Sequence, residues 1–264
     1  CVLMRVCHLN TCPVGVATQD PSLRKKYTGQ AEHLVNYFRF IAQEVRELMA
    51  KLGFRTVDEM VGRMDRLETR NAISHWKGKK LDLTAMLHQP EVSPSVGIRK
   101  MKDQDHGIAG ILDNRLIELA SEALEKRKPV EIHMPIRNSN RTTCTMLGSE
   151  VSRRFGSAGL PEDTIKLNFT GSAGQSFGAF VPQGMTLTLE GDANDYTAKG
   201  LSGGRIVVYP PEGSDFEPEK NVIVGNVVLY GATGGEVFMR GLAGERFAVR
   251  NSGAVAVVEG VGDH

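Results

Sequence analysis

Gly191-Asp-Ala-Asn-Asp-Tyr-Thr-Ala-Lys-Gly200-Leu-Ser-Gly203-Gly-Arg205-Ile-Val-Val-Tyr209 places a Gly-x-x-Gly unit directly before a short β-branched run. The unit recurs as Gly171-Ser-Ala-Gly174, Gly231-Ala-Thr-Gly234 and Gly241-Leu-Ala-Gly244. From about Leu160 onward glycine is frequent and helical periodicity fades. Short strands are predicted at 164–169, 185–189, 205–209, 227–230, 236–239, 246–249 and 254–259. Glycines permit tight corners at positive φ, and the Val, Ile, Phe and Met residues between them can stack in layers, so the pattern predicts a coiled β-solenoid from about Leu160 onward. An antiparallel sandwich is the alternative, but only Asn251-Ser-Gly253 has the composition of a hairpin turn. A phosphate-loop reading is disfavoured, because no Gly-x-x-Gly unit opens a helical pattern that could aim amide groups at a phosphate.

Upstream the periodicity is helical. Leu34, Phe38, Ile41, Val45, Leu48 and Leu52 keep one face of a helix over 31–52, and Gly53 can end it in the left-handed conformation. Thr56-Val-Asp-Glu59 is a capping box, predicted to open a second helix with Val57, Met60, Val61, Met64 and Leu67 inward. Both helices read as packing elements, with Arg46, Glu47 and Lys51 on a solvated face. Residues 76–110 read as a connecting segment, and the Lys77–Lys80 run as solvated linker. A short helix through Leu116, Ile117, Leu119, Ala120, Ala123 and Leu124 follows, then a strand over 129–135. The domain expectation is therefore 1–75, a connector at 76–110, and 111–264.

Three of the four cysteines crowd into the first twelve residues as Cys1, Cys7 and Cys12. Thiolates so close repel one another unless a metal compensates them. The gaps are wider than the close pairs of structural zinc sites, and Pro13 after Cys12 matches the Cys-Pro that ends bacterial ferredoxin ligand runs. The spacing favours an iron–sulfur centre. A zinc site with His8 as fourth ligand, a disulfide and plain thiols stay open. Cys144 reads as a small buried hydrophobe, and His88, His106 and His133 as ordinary histidines without ligand neighbours.

Global composition is mild. With 264 residues and a formal charge of +1, the chain can build one large or two medium domains, with no basic excess pointing to nucleic acid. No apolar run approaches the roughly 20 residues that span a bilayer, and the amino end lacks a signal-peptide layout, so a cytoplasmic protein without membrane partners is expected. The chain starts on Cys1 and stops at His264 without a closing element, the expectation for an excerpt of something longer. No Gly-x-Ser-x-Gly elbow, His-Glu-x-x-His or paired-carboxylate site stands out.

Several stretches together resemble the large subunit of the bacterial-type glutamate synthase family. They are Met4-Arg-Val-Cys7-His-Leu-Asn-Thr-Cys12-Pro-Val-Gly-Val-Ala-Thr-Gln-Asp20, Val35–Ala42 with Glu47–Ala50, Gly53–Gly62, Pro135–Arg141 and Gly191–Gly204. The resemblance runs nearly end to end. It implies a mixed fold: the helical tail of an incomplete β/α (TIM-type) FMN barrel with the cysteine loop, then a right-handed β-helix, truncated at both ends. It implies that Cys1, Cys7 and Cys12 bind a 3Fe-4S cluster that passes electrons to FMN. Backbone N–H groups at Asn10, Thr11 and Gly15 are the expected donors around it. The implied reaction converts glutamine, 2-oxoglutarate and reductant into two glutamates. Electrons are implied to come from an NAD(P)H-oxidising small subunit with FAD and 4Fe-4S centres, or from ferredoxin. An eight-stranded barrel takes about 250 residues, so most of the FMN site and the amidotransferase domain are expected upstream, and the chain by itself is expected to be inactive. The competing reading is a structural and assembly solenoid without chemistry of its own.

Overall fold

The computed structural model describes residues 7–68, 75–78 and 81–263. Cys1, Lys79 and Lys80 lie outside the described residues, as does the side chain of His8. The chain divides into two compact units, one of Cys1–Tyr27 with Gly107–His264 and the other of Thr28–His106.

The larger unit is built on a seven-stranded sheet of β1 Val130–Ile136, β2 Ile165–Ala173, β3 Met185–Ala193, β4 Ser202–Tyr209, β5 Val222–Val224, β6 Gly234–Ala243 and β7 Val255–Gly260. Every strand pairing is parallel, along the path β1-β2-β3-β4-β6 with β7 on β6. That excludes the antiparallel sandwich. Asn251-Ser-Gly253 is accordingly no hairpin: Asn251 Oδ1 accepts from the N–H groups of Gly253 and Ala254, turning the chain toward a further parallel strand.

Register explains the core. In-register pairing aligns Ile132, Leu167, Leu187, Ile206, Val237 and Ala256 in one file and Met134, Phe169, Leu189, Val208, Met239 and Val258 in the next. Alternate residues of each strand face the same side, so both files lie on one face and close a continuous apolar interior, with Leu167, Leu187, Ile206 and Val237 wholly buried.

Two predicted strands are corners instead. Val227–Tyr230 and Arg246–Val249 are turns, with positive φ at Val227, Leu229, Arg246 and Ala248. The same alternation of positive φ occurs at Ser176, Gly178 and Phe180 and at Tyr196, Ala198 and Gly200. These corners stack. Val227 N–H donates to Glu245 O at 2.8 Å, Leu229 N–H to Thr197 O at 2.9 Å, and Ala248 N–H to Val228 O at 2.9 Å. Val228 and Leu229 are fully buried, so an apolar run as long as a strand serves as an inward-packed bend whose amides bond to neighbouring corners. The glycines behave likewise: Gly200 N–H donates to Tyr230 O and Gly231 N–H to Val249 O, which leaves neither for a phosphate. Gly191, at φ +151, is required by close approach, since a Cβ there would fall 1.8 Å from Gly171 O.

Seven α-helices are described: α1 Pro21–Arg24, α2 Ala31–Leu52, α3 Val57–Met60, α4 Thr84–Leu87, α5 Leu112–Leu119, α6 Ser121–Lys126 and α7 Thr145–Phe155. The single helix expected around 116–124 is two, broken at Ala120. Helix α7 was not anticipated, and its start is fixed from α5. Buried Asp113 accepts from the N–H groups of Cys144, Met146 and Leu147 at 2.9, 2.9 and 3.1 Å, placing a carboxylate at the positive end of α7.

In the smaller unit α2 runs from Ala31 to Leu52 and ends on Gly53 at φ 79, as the spacing predicts. Its apolar face is not buried, however. Leu34 and Phe38 are 60% and 61% exposed, Leu48 and Leu52 are exposed too, and Met49 is the buried residue of the helix. The Thr56 cap is present, its hydroxyl accepting from Glu59 N–H at 3.2 Å, while Glu59 Oε2 reaches back to Arg55 N–H at 2.8 Å. The helix it opens stops after one turn, because Val61 turns extended at φ -61, ψ 132 and Gly62 follows at φ 76, where a Cβ would meet Ile98 O at 2.7 Å. Val57, Val61 and Leu67 are therefore exposed and not inward. The parallel sheet with its helices makes this an α/β-type fold.

Candidate metal centre

The cysteine loop is shaped by local turn chemistry. Cys7 opens a 3-10 turn, Cys7–Leu9, closed by Asn10 N–H donating to Cys7 O at 3.1 Å. Asn10 follows at φ 60, a conformation asparagine tolerates better than most residues. Cys12-Pro13-Val14-Gly15 makes the next turn, Gly15 N–H donating to Cys12 O at 3.1 Å, with proline pre-set at its second position. Gly15 has φ +77, and a Cβ there would fall 2.2 Å from Leu23 O, so only glycine lets the chain fold back at this point.

That return wraps backbone around the Cys12 sulfur. The backbone amides that follow, Ala17 N–H foremost, hold the thiol below its ordinary value; burial opposes this, and the N–H groups of Val14, Val16 and Gly15 add to the lowering. Cys12 is 9% exposed. A sulfur enclosed by amide donors is stabilised as thiolate, the form that ligates metals. The arrangement fits an anionic iron–sulfur ligand, whose potential depends on such N–H···S contacts.

The loop's exit is fixed as well. Asp20 Oδ1 accepts from Ser22 N–H at 2.8 Å and Leu23 N–H at 3.0 Å, capping α1 with Pro21 at its first position. The Ser22 hydroxyl, then these two amides, holds the Asp20 carboxyl below the usual aspartate range.

Of the three expected ligands, Cys7 and Cys12 share this loop, and Cys1 lies outside the described residues. Among the described residues no three of His, Cys, Asp and Glu converge to hold a metal ion. Of the three expected amide donors, Gly15 lies beside Cys12, and the Asn10 N–H is engaged with Cys7 O at 3.1 Å. Val14, Val16 and Ala17 are not marked in the sequence, because apolar side chains give no hint of how their backbone amides lie around Cys12. Cys144 is fully buried at the start of α7, its thiol pushed well up by burial and then by Asp113. His88 and His106 are exposed, and His133 sits 3.4 Å from Glu131 on the exposed side of β1. No described helix is long and apolar enough to cross a membrane.

The model described as conserved region in glutamate synthase matches residues 1–55, which contain the cysteine loop, and the one described as GXGXG motif matches 113–264, which contain the parallel sheet. The chain belongs to the glutamate synthase family. It is 58% identical over 267 aligned residues to the glutamate synthase [NADPH] large chain of Bacillus subtilis, covering all of this chain and 17% of that one. Against the glutamate synthase [NADH] of Schizosaccharomyces pombe the identity is 56%, over all of this chain and 12% of the relative. The ferredoxin-dependent glutamate synthase 1 of Arabidopsis thaliana is 45% identical, again over the whole chain and 16% of its own length. The chain thus spans less than a fifth of the glutamate synthases it resembles. All three carry the similarity across both the cysteine loop and the sheet.

Proposed function

We propose that the chain is the part of a glutamate synthase large subunit that holds an iron–sulfur ligand loop and braces it with a solenoid. The observation that carries this is the backbone cradle around Cys12 within the segment matched to the glutamate synthase region. Cys1, Cys7 and Cys12 would hold a 3Fe-4S cluster, which supplies one-electron transfer toward a flavin. Cys12 offers its sulfur as thiolate, and the Val14–Ala17 amides neutralise part of that charge and keep water from the sulfur. The whole enzyme would convert glutamine, 2-oxoglutarate and reductant into two glutamates in the cytoplasm. FMN would be held mainly by other parts of the same subunit, and the electrons supplied by an NAD(P)H-oxidising FAD/4Fe-4S subunit or by ferredoxin.

In this reading residues 1–75 are the helical end of the FMN barrel, with the exposed row of α2 as the face turned toward the rest of that barrel, 76–110 connect, and 111–264 form a right-handed β-helix. The parallel strands joined through stacked corners support the last point, since parallel crossovers are overwhelmingly right-handed. A purely structural role for 111–264 is favoured by the use of its corner amides in bonds between neighbouring corners. The test is glutamate formation by the whole protein with its physiological donor. Cys12→Ser is expected to abolish turnover, by at least about a hundredfold on the scale of lost metal-ligand interactions; unchanged turnover refutes the reading.

A further inference from the structure

We propose that Thr18, clasped to Asn10, is the positioning residue that keeps the 12–17 turn closed around the Cys12 sulfur; this rests on the cluster reading above. Thr18 is a buried polar residue, 8% exposed. Its hydroxyl has the Asn10 carbonyl at 2.6 Å and Asn10 Oδ1 at 3.0 Å as acceptors, and it accepts from Asp20 N–H at 3.1 Å. Asn10 Oδ1 also accepts from Gln19 N–H at 2.7 Å. These bonds tie the chain just before Cys12 to the chain just after Ala17. The segment between, 11–17, carries Cys12 and the turn in which Gly15 N–H donates to Cys12 O at 3.1 Å, so closing its base fixes how the amides of Val14, Gly15, Val16 and Ala17 lie around the sulfur.

The chemistry of the clasp is specific. A hydroxyl donates and accepts at once, which valine of the same shape cannot do, and burying valine there leaves the Asn10 carbonyl and the Asp20 amide without this partner. Serine keeps both bonds. Asn10 contributes twice, through a left-handed backbone and through its side-chain carbonyl. Glycine at position 10 would keep the first and lose the second.

Two readouts on the whole protein separate this inference from the reading beneath it. In the metal-free protein, amide hydrogen exchange of a peptide covering Val14–Ala17 is expected to accelerate roughly tenfold or more in Thr18→Val, the scale of one or two lost buried hydrogen bonds. It should stay near wild type in Thr18→Ser and fall between in Asn10→Gly, which keeps the test alive if Thr18→Val fails to fold. In the iron-loaded protein, the midpoint potential of the cluster is expected to fall in Thr18→Val and Asn10→Gly and to be restored in Thr18→Ser, because fewer N–H groups then stabilise the reduced, more negative centre. Wild-type protein that takes up no iron refutes the cluster reading while the exchange result still judges the clasp. Wild-type protein that takes up iron, with exchange and potential unmoved in Asn10→Gly and Thr18→Val, overturns the inference.

Discussion

The parallel stack of 130–260 and the helix α2 at 31–52 are opposite cases of how a sequence pattern becomes structure. In α2 the local signals are clean: the three-and-four spacing holds for the length of the helix, and Gly53 ends it. Yet the apolar row those signals build stays exposed. In the stack the local signals are ambiguous, with strands and corners equally rich in Val, Leu and Ala, but register places Leu167, Leu187, Ile206 and Val237 over one another and buries all four. Periodicity reports that a face seeks burial, and repetition is what supplies the burial inside one chain.

The largest expected contrast comes from deleting side chains in the two regions. Leu187→Ala removes a wholly buried side chain from the middle of a file and is expected to cost about 2–5 kcal/mol, read as a lower denaturation midpoint. A loss below about 1 kcal/mol would mean the files are not close-packed. Gly191→Ala comes next: left-handed backbone and contact with Gly171 O predict a loss of about 1–3 kcal/mol or more, measured the same way. Phe38→Ala on α2 is expected to change the stability of this chain by no more than about 0.5 kcal/mol, because its ring already stands in solvent. A cost as large as that of Leu187→Ala would show that α2 buries its row and would erase the contrast.

Much of the fold is legible in particular residues. Gly53 marks a helix end, Thr56 with Glu59 marks a start, and the glycine units mark corners. Strand-versus-corner assignment failed at 227–230 and 246–249, because Val227, Leu229, Arg246 and Ala248 take positive φ that their residue types do not announce; bonds between stacked corners hold them there. Helix α7 was illegible for a related reason, since its cap, Asp113, is supplied from a different helix. At the candidate centre the cysteines announce themselves, and Gly15 signals the return of the chain. What surrounds Cys12 is the backbone amides of Val14, Val16 and Ala17 and the buried hydroxyl of Thr18, where side-chain identity says little about how they lie.

The most direct test of the account is iron and acid-labile sulfide analysis with EPR of the oxidised whole protein after anaerobic reconstitution. The account predicts a three-iron signal that disappears in Cys7→Ser and in Cys12→Ser. One equivalent of zinc with no iron signal, or a three-iron signal that survives Cys12→Ser, would contradict it.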